Sequence, residues 1–184
     1  MRRRPSSRFA IPLALSLLVV APASAKFSAT VTKAKAYDPS AIAKVAVITT
    51  ECHEVVDCGR LERRIVIEAQ EMPVSFTVVP EEEVREFLFA EGHLSFTPEL
   101  RGVIAEAFGI DAFLELRVPF AERGDGFAGN RRSSVKIELL LTKVDGAILL
   151  HGVGTGRPLN VVSSPERVAG NVVEEIFMQA FESR

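Results

Sequence analysis

The sequence concentrates its most reactive side chains in one short segment, Cys52-His-Glu-Val-Val-Asp-Cys58. Two cysteines at this spacing can form a structural disulfide that closes a small loop, which predicts a stabilisation of about 2 kcal/mol. A metal site is an alternative, in which Cys52, His53 and Cys58 bind zinc together with a carboxylate in a tetrahedral arrangement. Free or redox-active thiols are a third alternative, although the sequence contains no Cys-x-x-Cys motif.

A glycine-rich run, Gly152-Val-Gly-Thr-Gly156, looks at first like a phosphate-binding loop. A dinucleotide-binding loop must follow a strand and begin a helix, whereas Pro158 follows this run and no Lys-Ser/Thr pair completes a P-loop. The alternating glycines therefore predict close packing or a bulge within a strand. The sequence also lacks Gly-x-Ser-x-Gly and His-Glu-x-x-His motifs, so we assign no catalytic residue and expect no cofactor.

A third candidate is the segment from Ala121 to Arg132, which is rich in glycine and charge and is therefore predicted to be a loop. Arg123, Phe127, Arg131 and Arg132 place an aromatic side chain between guanidinium groups. Arginine and aromatic residues are enriched at the energetic centres of protein interfaces, so these four residues are candidates for partner binding. A solvated connection between two strands is the alternative interpretation.

Hydrophobic periodicity predicts which elements position these segments. Five strands are indicated by alternating or continuous apolar runs over 44–50, 74–78, 112–118, 135–141 and 147–155. Four helices are indicated by apolar residues recurring every three or four positions over 57–71, 81–91, 98–108 and 165–181. The run Glu81-Glu82-Glu83 fits a helix start, where carboxylates meet the positive end of the helix dipole. The order β-α-β-α-α-β-β-β-α predicts an α/β (α+β) fold with helices packed on a mixed sheet of about five strands.

The first 25 residues have the features of a cleaved secretory signal peptide. Four arginines precede an apolar run from Phe9 to Ala21, and Ala23-Ser-Ala25 supplies the small residues that signal peptidase requires. Cleavage after Ala25 leaves 159 of the 184 residues and changes the net charge from −2 to −6, because the signal carries four arginines and no acidic residue. We expect residues 26–41 to form an extended leader and residues 42–184 a single domain.

The predicted export limits the function. Export favours oxidation of the two cysteines, because disulfides persist outside the cytosol. An acidic domain is a poor nucleic-acid binder, since contacts with phosphates supply most of that affinity. The sequence contains no later run of 18 apolar residues, so we expect no transmembrane segment after cleavage and a periplasmic or secreted protein.

The element order and three local strings resemble a family of bacterial envelope domains. The strings are Lys44-Val-Ala-Val-Ile48, Ala105-Glu-Ala-Phe-Gly-Ile-Asp-Ala-Phe-Leu114, and the hairpin from Val135 to Leu149 with its Asp-Gly turn. The family includes the curli-export lipoprotein (CsgG-type), the lipoprotein activator of penicillin-binding proteins (LpoB-type) and, more distantly, the amino-terminal domain of the Tol-Pal periplasmic protein. The resemblance spans roughly residues 42–182.

The resemblance implies a non-enzymatic adaptor or binding domain whose partner is another envelope protein or a second copy of the chain. Members of this family are often lipid-anchored, whereas Lys26 and not cysteine follows the predicted cleavage site. The curli channel needs long membrane-crossing hairpins, and no spare amphipathic hairpin is present here. A small-ligand or metal-binding protein with a site near Cys52 and Cys58 is the alternative function.

Overall fold

A computed structural model describes residues 26–71, 76–124, 132–158 and 163–181. Within these ranges the strands are β1 (Lys26–Lys33), β2 (Lys44–Glu51), β3 (Thr77–Val79), β4 (Ala112–Glu122), β5 (Ser134–Lys143) and β6 (Ile148–Arg157). The helices are α1 (Cys58–Glu71), α2 (Glu81–Ala90), α3 (Arg101–Phe108) and α4 (Pro165–Phe181). Short 3₁₀ turns cover Pro39–Ala41 and Pro98–Leu100. The predicted α/β class is confirmed, and each described element from β2 onward overlaps its predicted range.

The strands form one mixed sheet in the order β1-β6-β5-β4-β2-β3. The pairs β2–β3 and β2–β4 are parallel, and the pairs β4–β5, β5–β6 and β1–β6 are antiparallel. Helices connect the parallel strands, since such connections must cross over the sheet, and a short turn at 144–147 connects β5 to β6. The sheet is therefore parallel at one end and a meander at the other.

Both faces of the parallel half are covered by helices, which accounts for the apolar character of β2. Val45 and Val47 belong to a core shared with α1 and α4, whereas Ala46 and Ile48 belong to a second core beneath α2 and α3. The first core extends along the whole sheet and contains Phe177 and Leu139. The second core is smaller and lies over β3, β2 and β4 only.

The glycines of β6 bring α4 close to the sheet. Gly152, Gly154 and Gly156 are buried, and a Cβ atom at each position would lie under 3.0 Å from a side chain of α4. At Gly156, for example, the Cβ would be 2.6 Å from Cγ2 of Val172. The glycine run is therefore a packing surface for a helix, as the alternation predicts.

The string Gly-Ile-Asp before β4 has a structural role. Gly109 ends α3 with a φ of 64°, in the left-handed region that favours glycine. Ile110 enters the second core, and Asp111 Oδ2 accepts hydrogen bonds from the backbone N–H groups of Ala43 and Lys44, each at 2.9 Å. This carboxylate ties the start of β2 to the start of β4.

The main difference from the sequence analysis lies at the amino-terminal end of the described chain. Residues 26–33, predicted to belong to an extended leader, form β1 and pair along their whole length with β6. Phe27, Ala29 and Val31 pack against the first core, so the sheet has six strands among the described residues rather than about five. In the described part of the chain, no helix has the length and apolar character needed to cross a bilayer.

Candidate functional site

The carboxyl end of β2 opens into a crevice. The chain leaves β2 into α1 on one face of the sheet, while α2 follows β3 on the opposite face. Open α/β sheets bind ligands where connections diverge in this way, beyond the carboxyl ends of the strands. The crevice has two lobes, and Thr49, Glu81 and Arg85 line both.

The first lobe, of about 720 Å³, lies between α1 and α2 and contains two carboxyl groups held by Thr49. The Thr49 hydroxyl donates a 2.6 Å hydrogen bond to Oε1 of Glu62, and its backbone N–H donates a 2.7 Å hydrogen bond to Oε2 of Glu81. Burial and a hydrogen bond with Glu81 raise the pKa of Glu62 to about 7, against the lowering effect of the Thr49 hydroxyl. Glu62 can therefore keep its proton up to near neutral pH.

A disulfide between Cys52 and Cys58 forms part of the rim of this lobe, with the two Cα atoms 6.1 Å apart. The thiols are consumed in this bond and cannot bind a metal. His53 does not face a metal site either: its Nδ1 accepts a 3.5 Å hydrogen bond from Val55, and its ring lies edge-on to Phe120. Among the described residues, no group of three or more His, Cys, Asp or Glu side chains could hold a metal ion.

The second lobe, of about 510 Å³, lies between the sheet and the segment from Leu94 to Arg101. Its deepest charged group is Glu115, whose side chain is 2% exposed. Oε1 of Glu115 accepts hydrogen bonds from Nη2 of Arg101 at 2.6 Å and from the Thr142 hydroxyl at 2.7 Å. This carboxylate is therefore buried with a charge partner and a neutral donor, as a buried charge requires.

Arg117 is positioned at the second lobe by an irregularity in β2. The pairing of β2 with β4 shifts between Thr49 and Glu51, which leaves Thr50 as the extra residue of a bulge. Such bulges redirect side chains and are common beside functional sites. Here the Thr50 hydroxyl accepts a 3.2 Å hydrogen bond from Nε of Arg117, while Nη2 of Arg117 lies 3.7 Å from Oε2 of Glu115.

The predicted partner-binding residues are only partly described. Phe127 and Arg131 lie outside the described residues. Arg123 is exposed, with Nη2 at 3.9 Å from Oε1 of Glu166 on α4, and Arg132 is half-buried. The structure therefore brings Arg123 toward α4, and the four residues stay a prediction as a set.

No family model matches the sequence, and no curated protein matches it. Solved structures do share the fold. The PelC dodecamer from Paraburkholderia phytofirmans is similar with a TM-score of 0.61 and 14% identity, over 86% of this chain and 100% of that chain. A variant of that dodecamer is similar with a TM-score of 0.57, at the same identity and coverage.

Lipoprotein GNA1162 from Neisseria meningitidis is similar with a TM-score of 0.50 and 18% identity, over 77% of this chain and 99% of that chain. At such identities the likeness concerns the fold alone. The fold predicted from the sequence thus occurs in a bacterial lipoprotein and in PelC. The narrower resemblance to the CsgG and LpoB types stays a prediction.

The charged residues of the crevice are not evident from local sequence pattern. The run of three glutamates at Glu81 does begin a helix, but the side chain of Glu81 also turns back to the end of β2. Glu115 alternates with core residues and so gives the pattern of a strand with one polar face, yet α3 and the segment before it cover that face. A usable signal was the presence of two consecutive crossovers around β2, which place a crevice at its carboxyl end.

Proposed function

We propose that the chain is an exported, non-catalytic protein of the bacterial cell envelope that works by binding a protein partner, in the first place a second copy of itself. This proposal rests on the exposure of large apolar side chains along the segment from α2 to α3. Phe89 is 74% exposed and Leu94 is 92% exposed, and Val103 on α3 is also exposed. Single exposed apolar residues are ordinary, but their concentration in one segment is typical of an interaction surface.

Two further points support the proposal, the first concerning self-association and the second concerning export. The fold is shared with PelC, whose solved form is a dodecamer, and with a bacterial lipoprotein. The predicted signal peptide and the disulfide both suit an exported protein. The adaptor role itself rests on the family resemblance and on the apolar segment. It requires no nucleophile, base or metal.

The oligomeric state of the exported chain tests this proposal. Light scattering coupled to size-exclusion chromatography is expected to give a mass several times that of the monomer. Leu94→Glu and Phe89→Glu are expected to shift the mass toward the monomer, because a charge buried in an apolar interface carries a large desolvation cost. Ile67→Glu is the matched control, since Ile67 is exposed on α1, outside the apolar segment. A monomeric wild-type chain that also recovers no partner from envelope extracts would contradict the proposal.

The alternative function is small-ligand binding in the first lobe, beside Cys52 and Cys58. Two observations favour this alternative. The volume of about 720 Å³ is within the range of small-molecule sites, and two carboxyl groups lie at Thr49. Native mass spectrometry of the exported chain tests it. A mass increment that disappears in Glu62→Ala would favour this alternative over self-association as the primary role.

A further inference from the structure

The second lobe combines an apolar wall with fixed charges, a combination typical of small-ligand sites. Its volume of about 510 Å³ also lies in the range of such sites. The apolar side chains of its wall are Ile48, Val84, Leu88, Leu94, Phe96 and Pro98. These residues come from β2, α2 and the segment that leads into α3, so the wall is assembled by the fold and not by one loop.

The charges that line this lobe do not cancel. Three guanidinium groups, those of Arg85, Arg101 and Arg117, face two carboxylates, those of Glu81 and Glu115. The Arg101–Glu115 pair is internally neutral, and Glu81 and Arg85 are neighbours four positions apart on α2. The guanidinium of Arg117 therefore leaves the lobe with one net positive charge in an otherwise acidic protein.

The hydrogen-bonding capacity of the lobe is also incomplete. Nε of Arg101 is buried and has no acceptor among the described residues. A buried donor without a partner loses hydrogen bonds to water and gains none in return, so an acceptor on a ligand would restore the loss. Arg117 uses Nε for Thr50, and its Nη2 lies 3.7 Å from Oε2 of Glu115. Glu138, which faces Arg117 on β5, also interacts with it electrostatically but accepts its hydrogen bond from Lys136. Both arginines can thus donate to oxygen atoms of a ligand.

We propose that the second lobe binds a small carboxylic acid with an apolar body. Its carboxylate pairs with Arg117, and its apolar part lies against Leu88 and Phe96. A planar guanidinium matches a carboxylate with two parallel hydrogen bonds. One net positive charge suits a monoanion better than a phosphate monoester, which carries nearly two negative charges at neutral pH. This site adjoins the apolar surface of the proposed function, since Leu94 belongs to both, but the contact with Arg117 does not depend on self-association.

The probe is 4-phenylbutyrate, compared with its amide, with octanoate and with phenyl phosphate. Titrations followed by ¹H–¹⁵N NMR are expected to show saturable binding of both carboxylates, with shifts at Leu88, Phe96 and the Nε–H of Arg117. The amide is expected to bind about tenfold more weakly or worse, because hydrogen bonds to charged groups are the stronger ones. Octanoate and 4-phenylbutyrate distinguish aliphatic from aromatic bodies within the same chemical class.

Variants locate the site. Arg117→Gln is expected to weaken 4-phenylbutyrate binding about tenfold, because it removes the excess charge. Arg63→Gln, an exposed residue of the first lobe, is the control and is expected to leave the affinity unchanged. Equal binding of acid and amide, tighter binding of phenyl phosphate, or undiminished binding to Arg117→Gln would each overturn the proposal. If Arg117→Gln does not fold, wild-type shifts confined to residues outside the second lobe would overturn it instead. The oligomeric state is measured separately, so failure here leaves the proposed function standing.

Discussion

At the scale of single residues, Thr49 links the ionisation of the crevice to the position of two helices. Its hydroxyl holds Glu62 of α1, and its backbone N–H holds Glu81 of α2. Burial is the largest cause that raises the pKa of Glu62 to about 7, and the hydrogen bond with Glu81 raises this pKa further. Loss of the Glu62 proton places a negative charge beside the carboxyl group of Glu81 and therefore weakens the attachment of both helices to β2.

This raised pKa has a defined consequence for stability. The folded chain holds a proton on Glu62 that the unfolded chain releases at an ordinary glutamate pKa, so the free energy of unfolding falls as pH rises toward and through about 7. Partial exposure of Glu62 to water limits the expected fall to about 1 kcal/mol between about pH 5 and pH 8. Urea denaturation at a series of pH values measures it.

Glu62→Gln separates the contribution of Glu62 from that of the other titrating groups. The amide resembles the protonated acid, so this variant is expected to lack the Glu62 part of the decline and to be more stable than wild type at about pH 8 by roughly 1 kcal/mol. Glu82→Gln, an exposed neighbour of Glu81 in the first turn of α2, serves as the control. A Glu62→Gln profile parallel to that of wild type would show that Glu62 titrates normally.

At the scale of elements, α4 packs closely on β6 because three positions of β6 are glycines and have no side chain. A methyl group at Gly154 would meet Val172 and Ile176, which are themselves fully packed in the first core. Gly154→Ala is therefore expected to lower the free energy of unfolding by about 1–3 kcal/mol, the usual cost of overpacking. Thermal or urea denaturation followed by circular dichroism measures the loss.

Gly102 in α3 provides the matched control for this prediction. A Cβ there meets no heavy atom within 4 Å, and the backbone is helical. Gly102→Ala is expected to be neutral or to stabilise by up to about 1 kcal/mol, because alanine favours helices over glycine. Equal losses in both variants would mean that the contact with α4 does not explain the effect at Gly154.

Some of these elements can be predicted from local sequence pattern, and others cannot. Apolar periodicity within one segment identifies β2, α1 and α4, because each buries its own stripe of residues. The pattern of β1 alternates too, but its inward residues include small Ala29, and its partner β6 is distant in sequence. Glu62, Glu81 and Glu115 reach the two lobes of the crevice only through crossovers of the sheet. Local pattern cannot report such proximity.

At the scale of the whole molecule, the predicted cleavage site lies directly before the first residue of the sheet. Cleavage after Ala25 would make Lys26, the first residue of β1, the new amino terminus. β1 contacts β6 on one side and α4 on its inner face. The amino-terminal segment is therefore part of the folded domain. A truncation at residue 42, the predicted domain boundary, would remove an entire strand.

Point variants test this role of β1. Val31 packs on the first core, and replacing it by lysine is expected to lower the free energy of unfolding by about 1–3 kcal/mol, since a charge loses hydration on that face. Thr30→Lys changes the exposed face of the same strand and is expected to have little effect. Urea denaturation of the two variants makes the comparison. Identical stabilities would indicate that β1 does not pack in solution as described.

The pairing of β1 with β6 also constrains when the sheet can be completed. Ser28 and Thr155, whose hydroxyls form a 2.9 Å hydrogen bond across the two strands, are 127 positions apart. β1 can therefore pair with its neighbour only after β6, near the carboxyl end of the chain, has been synthesised. Contacts of such long range slow folding, because the closure of a large loop precedes any gain from the contact. If the predicted signal peptide directs export, a chain that still lacks β6 and α4 cannot complete this sheet and would pass through a translocation channel unfolded.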